Sequence, residues 1–126
     1  QECGIAGLPK PNAEWLTYAR LEHHGALHVV GAYFDGSLVG FCHVLVSLNP
    51  HYSALLAVTE SLFVAAAHRG TGAGLALLRE AGSIARQRGA VGLLVSAPTG
   101  GSLAAVLERS KGFQETNRVF FRELRP

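Results

Sequence analysis

The 126 residues are enough for one compact domain and too few for two, and a chain of this size buries about two-thirds of its unfolded surface without a staple. With 48% hydrophobic and 16% charged residues, a disordered tail is excluded. Eleven Lys and Arg against nine Asp and Glu leave a formal net charge of +2, too balanced for nucleic acid to be expected as a partner.

Residues 1–12 are punctuated by Gly4, Gly7, Pro9 and Pro11 too densely for a helix or strand interior. Asn12 can cap a helix over Ala13–Glu22, with Trp15, Leu16 and Ala19 on one face and Gly25 as its stop. Leu27–Phe34 reads as a strand, Asp35-Gly36 as a two-residue hairpin turn that needs positive φ, and Leu38–Val46 as the returning strand. Asn49-Pro50 breaks the pattern, and the long apolar run Leu55–Val64 predicts a central strand. Leu75, Leu78, Ala81, Ile84 and Ala85 then recur at helical spacing, with Arg86, Arg88 and Gly89 suited to the helix end. Val91–Ser96 is a short apolar strand, and Ser102 can cap a helix over Leu103–Ser110 with Gly112 past its end. Phe113–Thr116 and Val119–Leu124 read as two closing strands around Asn117-Arg118. Hairpins at the front give antiparallel pairs, and the strand–helix–strand unit at 55–96 gives a parallel pair. The expected fold is α/β (α+β): a mixed, mostly antiparallel central sheet flanked by helices, in one domain over residues 1–126.

The stretch that carries chemistry is His68-Arg69-Gly70-Thr71-Gly72-Ala73-Gly74, between a strand and a helix. Its glycines let the backbone turn tightly and approach a ligand closely. The helix that follows starts with N–H groups that have no internal partner, a setting for a phosphate. His68 and Arg69 add donors at the rim. The dinucleotide fingerprint G-x-G-x-x-G fails on spacing, because its last position falls on Leu75 or Leu77. The nucleotide phosphate loop fails because no Lys follows these glycines. The plainer alternative is a tight turn without a ligand.

Arg69-x-x-Gly72-x-Gly74 resembles the Q/R-x-x-G-x-G/A motif of the GNAT superfamily of acyl-CoA-dependent N-acetyltransferases. The Leu62-Phe63-Val64 strand end, the Leu-rich helix, the next strand and the Lys111-Gly112-Phe113 helix end stand in that family's order, so the resemblance covers about residues 27–124. The His51-Tyr52 pair is similar to one in small phage-type members. The family's first strand and part of its first helical pair look missing, which fits a trimmed or short front. The resemblance implies transfer of an acetyl group from acetyl-CoA, as cosubstrate, to a primary amine. It implies that the backbone of Arg69, Gly70, Thr71, Gly72, Ala73 and Gly74 holds the coenzyme A diphosphate, with His68 at the rim. The main chain of Leu62, Phe63 and Val64 would grip the pantetheine arm like an added strand, which requires the strand at 55–64 to splay from that at 91–96.

Such a transfer asks for a base for the amine and, optionally, an acid for the thiolate. Glu60 is the expected base, because alternation puts it in phase with Leu56, Val58, Leu62 and Val64 as a lone carboxylate on an apolar row, where its pKa would rise. A carboxylate paired with an Arg, or exposed at the cleft edge, is the alternative. Where similar family members carry an acidic Tyr in the last helix, this chain has Glu108, so Tyr52 is the candidate acid and His51 a candidate for the acceptor pocket. His43 reads as a face histidine, and His23-His24 as a helix end or surface pair. No His/Cys spacing reads as a metal site. Cys42 reads as a small hydrophobe and Cys3 as a thiol without a base. Two cysteines make no disulfide framework, which favours a reducing, cytoplasmic setting. No apolar run approaches ~18 residues and no leader-like segment opens the chain, so no membrane partner is expected. Without Met and beginning at Gln1, the chain reads as a processed or trimmed product. Its expected partners are acetyl-CoA and an amine acceptor, with a homodimer through the 119–124 strand compatible with the pattern. A coenzyme A-binding module without turnover, with a regulatory or assembly role, is the competing reading.

Overall fold

The structure, a computed structural model, describes residues 6, 8, 9 and 12–125. The chain divides into two compact units, one of residues 15–96 and the other of residues 1–14 with 97–126. The first unit carries α1 (Trp15–His23), β1 (Leu27–Phe34), β2 (Ser37–Asn49), β3 (Ala54–Val64), a single 3-10 turn (Ala66–His68), α2 (Ala73–Gln87) and β4 (Leu93–Leu94). The strands lie in the order β1-β2-β3-β4, with β1–β2 and β2–β3 antiparallel and β3–β4 parallel. This is the mixed, mostly antiparallel sheet that the sequence pattern predicts.

Local chemistry explains the connections. Asp35 and Gly36 take φ of 49° and 78°, the two positive values that match a two-residue turn to the twist of its strands. β2 runs on to Asn49, past the expected Val46, because Ser47, Leu48 and Asn49 still find partners in Leu56, Leu55 and Ala54. The Asn49 side chain then accepts the N–H groups of His51 and Tyr52 at 3.0 and 3.3 Å, which closes the second hairpin. α2 ends where Ala90 N–H reaches the Ala85 carbonyl and Gly89 N–H reaches that of Arg86.

The core joins one face of the sheet to α2. Val30, Cys42, Val44 and Ala57 pack with Leu77, Ala81 and Ala85, a stripe of four-residue spacing along the helix. Leu75, expected on that stripe, is instead exposed. Two residues from Leu77 is about 200° around the helix, so both cannot face the sheet. No residue of α1 is buried, and its Tyr18 meets His43 and Glu60 on the sheet face opposite α2.

In the second unit, α3 (Ser102–Arg109) is capped by Gly101 rather than Ser102, which lies inside the helix. The two closing strands are not formed: residues 113–125 have no regular secondary structure. Val119, Phe120 and Leu124 are almost fully exposed. An isolated hairpin is marginal in water, and Asn117-Arg118 lacks the residue pair that favours a two-residue turn. The strand on which a homodimer was expected to rest is therefore not there.

Candidate functional site

The site begins where β3 and β4 part. Their pairing is confined to Ala57 with Leu93 and Val58 with Leu94, preceded by bonds from Val91 N–H to Leu55 and from Ala57 N–H to Gly92. Beyond Val58, β3 continues to Val64 paired, among the described residues, on its β2 side alone. The edge of residues 59–64 that faces away from β2 therefore offers main-chain groups to an extended ligand. The splay expected from the sequence is present.

The loop after β3 carries the second element. Gly70 and Gly72 have φ of +79° and +91°, a region that costs other residues energy, and a Cβ on either would meet open space. Gly72 caps α2, and the first bond into the helix is Ala76 N–H to the Gly72 carbonyl. Among the described residues, the amide N–H groups of 70–75 have no protein acceptor. They stand at the positive end of α2, a cradle for an anion. The loop is braced from behind: Arg69 Nε donates to the Val64 carbonyl at 2.8 Å, and the Thr71 hydroxyl donates to the His68 carbonyl. The Arg69 guanidinium also lies 5.8 Å over the Phe63 ring. His68 packs its ring on Phe34 at 5.3 Å.

Glu60 is the third element, and a bulge decides its surroundings. His43 pairs with Ser61 while Val44 pairs with Thr59, so Glu60 is the extra residue on β3. The bulge resets the alternation: Leu62 and Val64 pack on the core shared with α2. Glu60 meets side chains of α1 and β2 instead. Tyr18 O–H donates to both carboxylate oxygens at 3.0 Å, Ser61 O–H donates to Oε1 at 2.7 Å, and His43 Nδ1 lies 3.2 Å from Oε1. Glu60 is thus not a lone carboxylate on an apolar row. Burial pushes its pKa up, but the bonds from Ser61, Tyr18 and His43, and the charge of a protonated His43, outweigh that and hold it below the ordinary range. The expected upward shift is reversed. Conversely, burial and then the Glu60 carboxylate raise the Tyr18 hydroxyl, partly offset by Ser61, so it remains a donor.

The structure keeps Tyr52 and His51 apart from this cluster. Their rings meet edge to face, centroids 4.8 Å apart, at the β2–β3 turn. Glu60 lies six residue steps along the strand from Ala54, on the order of 20 Å. A stand-in acid at Tyr52 therefore has no geometric support. Cys42 is fully buried, and burial pushes its thiol up to about 11, so it is no nucleophile. Among the described residues no group of three His, Cys, Asp or Glu gathers as a metal site, and no helix is long and apolar enough to cross a membrane. Sequence reasoning missed Tyr18 and gave His43 no role. His43 alternates with the buried Cys42 and Val44, which assigns it to the sheet face opposite α2; for Tyr18 the signal was its place one turn after Trp15.

The sequence matches the model of the acetyltransferase (GNAT) family over residues 4–113. The chain belongs to the GNAT acetyltransferase family. It is thus an acyltransferase, of a family that uses acetyl-CoA as cosubstrate. Among curated proteins none matches this GNAT chain. A ribosomal-protein-alanine N-acetyltransferase from Brucella melitensis biovar Abortus 2308 superposes with a TM-score of 0.66 at 24% identity, over 82% of this chain and 74% of its own. An aminoglycoside 6'-N-acetyltransferase from Acinetobacter haemolyticus gives 0.69 at 22%, over 89% and 79%. An aminoglycoside acetyltransferase from an uncultured soil metagenomic sample, solved with trehalose, gives 0.73 at 20%, over 96% and 80%. At these identities the likeness is one of fold.

Proposed function

We propose that residues 1–126 form one acetyltransferase domain that moves an acetyl group from acetyl-CoA directly to a primary amine. One observation carries this reading: amides 70–75, without protein acceptors among the described residues, stand beside a strand edge, 59–64, that β4 leaves open. The amides of Gly70 through Gly74 receive the diphosphate, with His68 at the rim; the Arg69 amide, expected to join them, already donates to the Ala66 carbonyl at 3.3 Å. The main chain of Leu62, Phe63 and Val64 receives the pantetheine arm. The amine nitrogen attacks the thioester carbon, the C–S bond breaks, and coenzyme A leaves as a thiolate that takes its proton from solvent. No protein acid is required, because a thiolate is a good leaving group.

Glu60 is the catalytic carboxylate in this scheme. Its depressed pKa keeps it ionised, so it attracts the acceptor's ammonium. Taking a proton from a free alkylammonium of pKa about 10.4 would cost roughly 8 kcal/mol or more. An ammonium has no lone pair, so its first proton goes to bulk solvent and the neutral amine attacks; the second proton passes to Glu60, directly or through water, once the nitrogen has bonded to carbon and become far more acidic. Calorimetry with acetyl-CoA tests the first half: binding is expected, and none at millimolar ligand overturns the reading. Thiol release with an amine tests the second.

Glu108, at the position where similar enzymes carry an acidic Tyr, favours the second reading of a coenzyme A-binding module without turnover. Binding with no thiol release from any amine would select it. A cytoplasmic location suits either.

A further inference from the structure

The sheet face opposite α2 carries a row of rings that the acetyl-transfer scheme does not use. Cys42 and Val44 are in the core with α2, so alternation turns Phe41 and His43 to the other side. There Phe41 meets Phe63 at 5.9 Å between centroids and His43 at 5.0 Å. Tyr18 lies edge-on to His43 at 4.9 Å, and Trp15 extends the row at 5.9 Å from Tyr18. Trp15 is 71% exposed. The row passes Glu60 and ends at Phe63, beside Arg69 of the glycine loop.

Charge narrows what this face can hold. Glu14 directly precedes Trp15 in the chain and is exposed; within residues 15–96 the other carboxylates are Glu22, exposed a turn beyond Tyr18 on α1, Asp35 in the β1–β2 turn and Glu80 on α2 behind the sheet. Glu60 is the one that bonds into the row. Its Oε1 already takes Ser61, His43 and a share of Tyr18, whereas Oε2 takes only the shared Tyr18 hydroxyl. A carboxylate oxygen has two acceptor sites, so Oε2 has room for one ammonium. A polycation would bring further ammonium groups against Phe41, His43 and Tyr18, where each would lose water with Glu60 alone as a bonded carboxylate. An aromatic body loses nothing there, and the rings also favour a single cation by their quadrupoles.

We infer that the acceptor is a monoamine on an aromatic body, an arylalkylamine, seated with its ammonium at Glu60 Oε2 and its ring along Phe41, Tyr18 and Trp15. The inference rests on the acetyltransferase reading above and narrows its substrate. The test is thiol release from acetyl-CoA with phenethylamine and tryptamine against spermidine and kanamycin, in parallel with acetyl-CoA calorimetry. The arylalkylamines are expected to show a kcat/KM at least tenfold higher than the polycations, and Trp15→Ala, at an exposed position, to raise the phenethylamine KM several-fold. Equal or faster turnover of spermidine or kanamycin overturns the acceptor class and leaves the acetyltransferase reading standing. So does a phenethylamine KM unmoved by Trp15→Ala. Release from none of the four overturns the class as well, and the calorimetry then shows whether acetyl-CoA binding fails with it.

Discussion

Replacing Gly72 by Ala separates a structural turn from a ligand cradle. Gly72 caps α2 at φ +91°, and an added Cβ would meet no protein atom within 4 Å. The cost to the fold is then backbone strain alone, about 1–2 kcal/mol for an L-residue in the left-handed region. With an unfolding entropy of about 2.1 cal/mol/K per residue over 126 residues, the melting temperature should fall by roughly 4–8 °C. The protein stays folded at room temperature, so stability by itself leaves the acetyl-CoA affinity untouched. The cradle reading adds a second loss. The methyl group stands where a diphosphate must approach bare amides, and the affinity should drop at least tenfold. Thermal denaturation and calorimetry on the same sample read the two effects. Gly82→Ala is the control, because Gly82 lies inside α2 without positive φ and with open space at Cβ. It should raise stability by about 0.5–1 kcal/mol and leave affinity alone. A lowered melting temperature with unchanged affinity in Gly72→Ala would refute the cradle and leave only a turn.

Glu60→Gln keeps the shape and removes the charge. It should lower kcat/KM in thiol release by about 10²–10⁴; a full rate at every pH would show that Glu60 takes no part. Acid stability follows from the same carboxylate. Its folded pKa lies below its unfolded value, so the folded state binds fewer protons, and the charged form stabilises the fold above the ordinary value of about 4.3. That contribution is lost as pH falls through the folded pKa. The melting-temperature gap between wild type and Glu60→Gln should be constant near neutral pH and close on acidification, as scanning calorimetry at stepped pH will show; a gap that widens toward acid would reverse the assigned shift.

What the sequence made legible was local. Asp35-Gly36 announces its turn because few residue pairs tolerate two positive φ values, and the 69–74 loop announces itself by glycine spacing between a strand and a helix. The departures are tertiary. A bulge at Glu60 carries no residue signature, yet it undoes a period-two argument for every position beyond it, and with it the expected direction of the Glu60 pKa. Tyr18 lies 42 residues from Glu60 in sequence, and only folding brings its hydroxyl to the carboxylate. Val119–Leu124 has the composition of a strand, but composition cannot supply the neighbour that a strand must pair with. Leu75 shows the same limit on a helix, where two apolar positions about 200° apart cannot share one face.

The central claim is that the amides after β3 hold the diphosphate of coenzyme A while the end of that strand holds its arm. Titrating ¹⁵N-labelled protein with acetyl-CoA and following the backbone amide signals tests it residue by residue. The largest saturable shifts are predicted at 70–75 and at 62–64. Saturable binding that leaves the amides of 70–75 unmoved would contradict it.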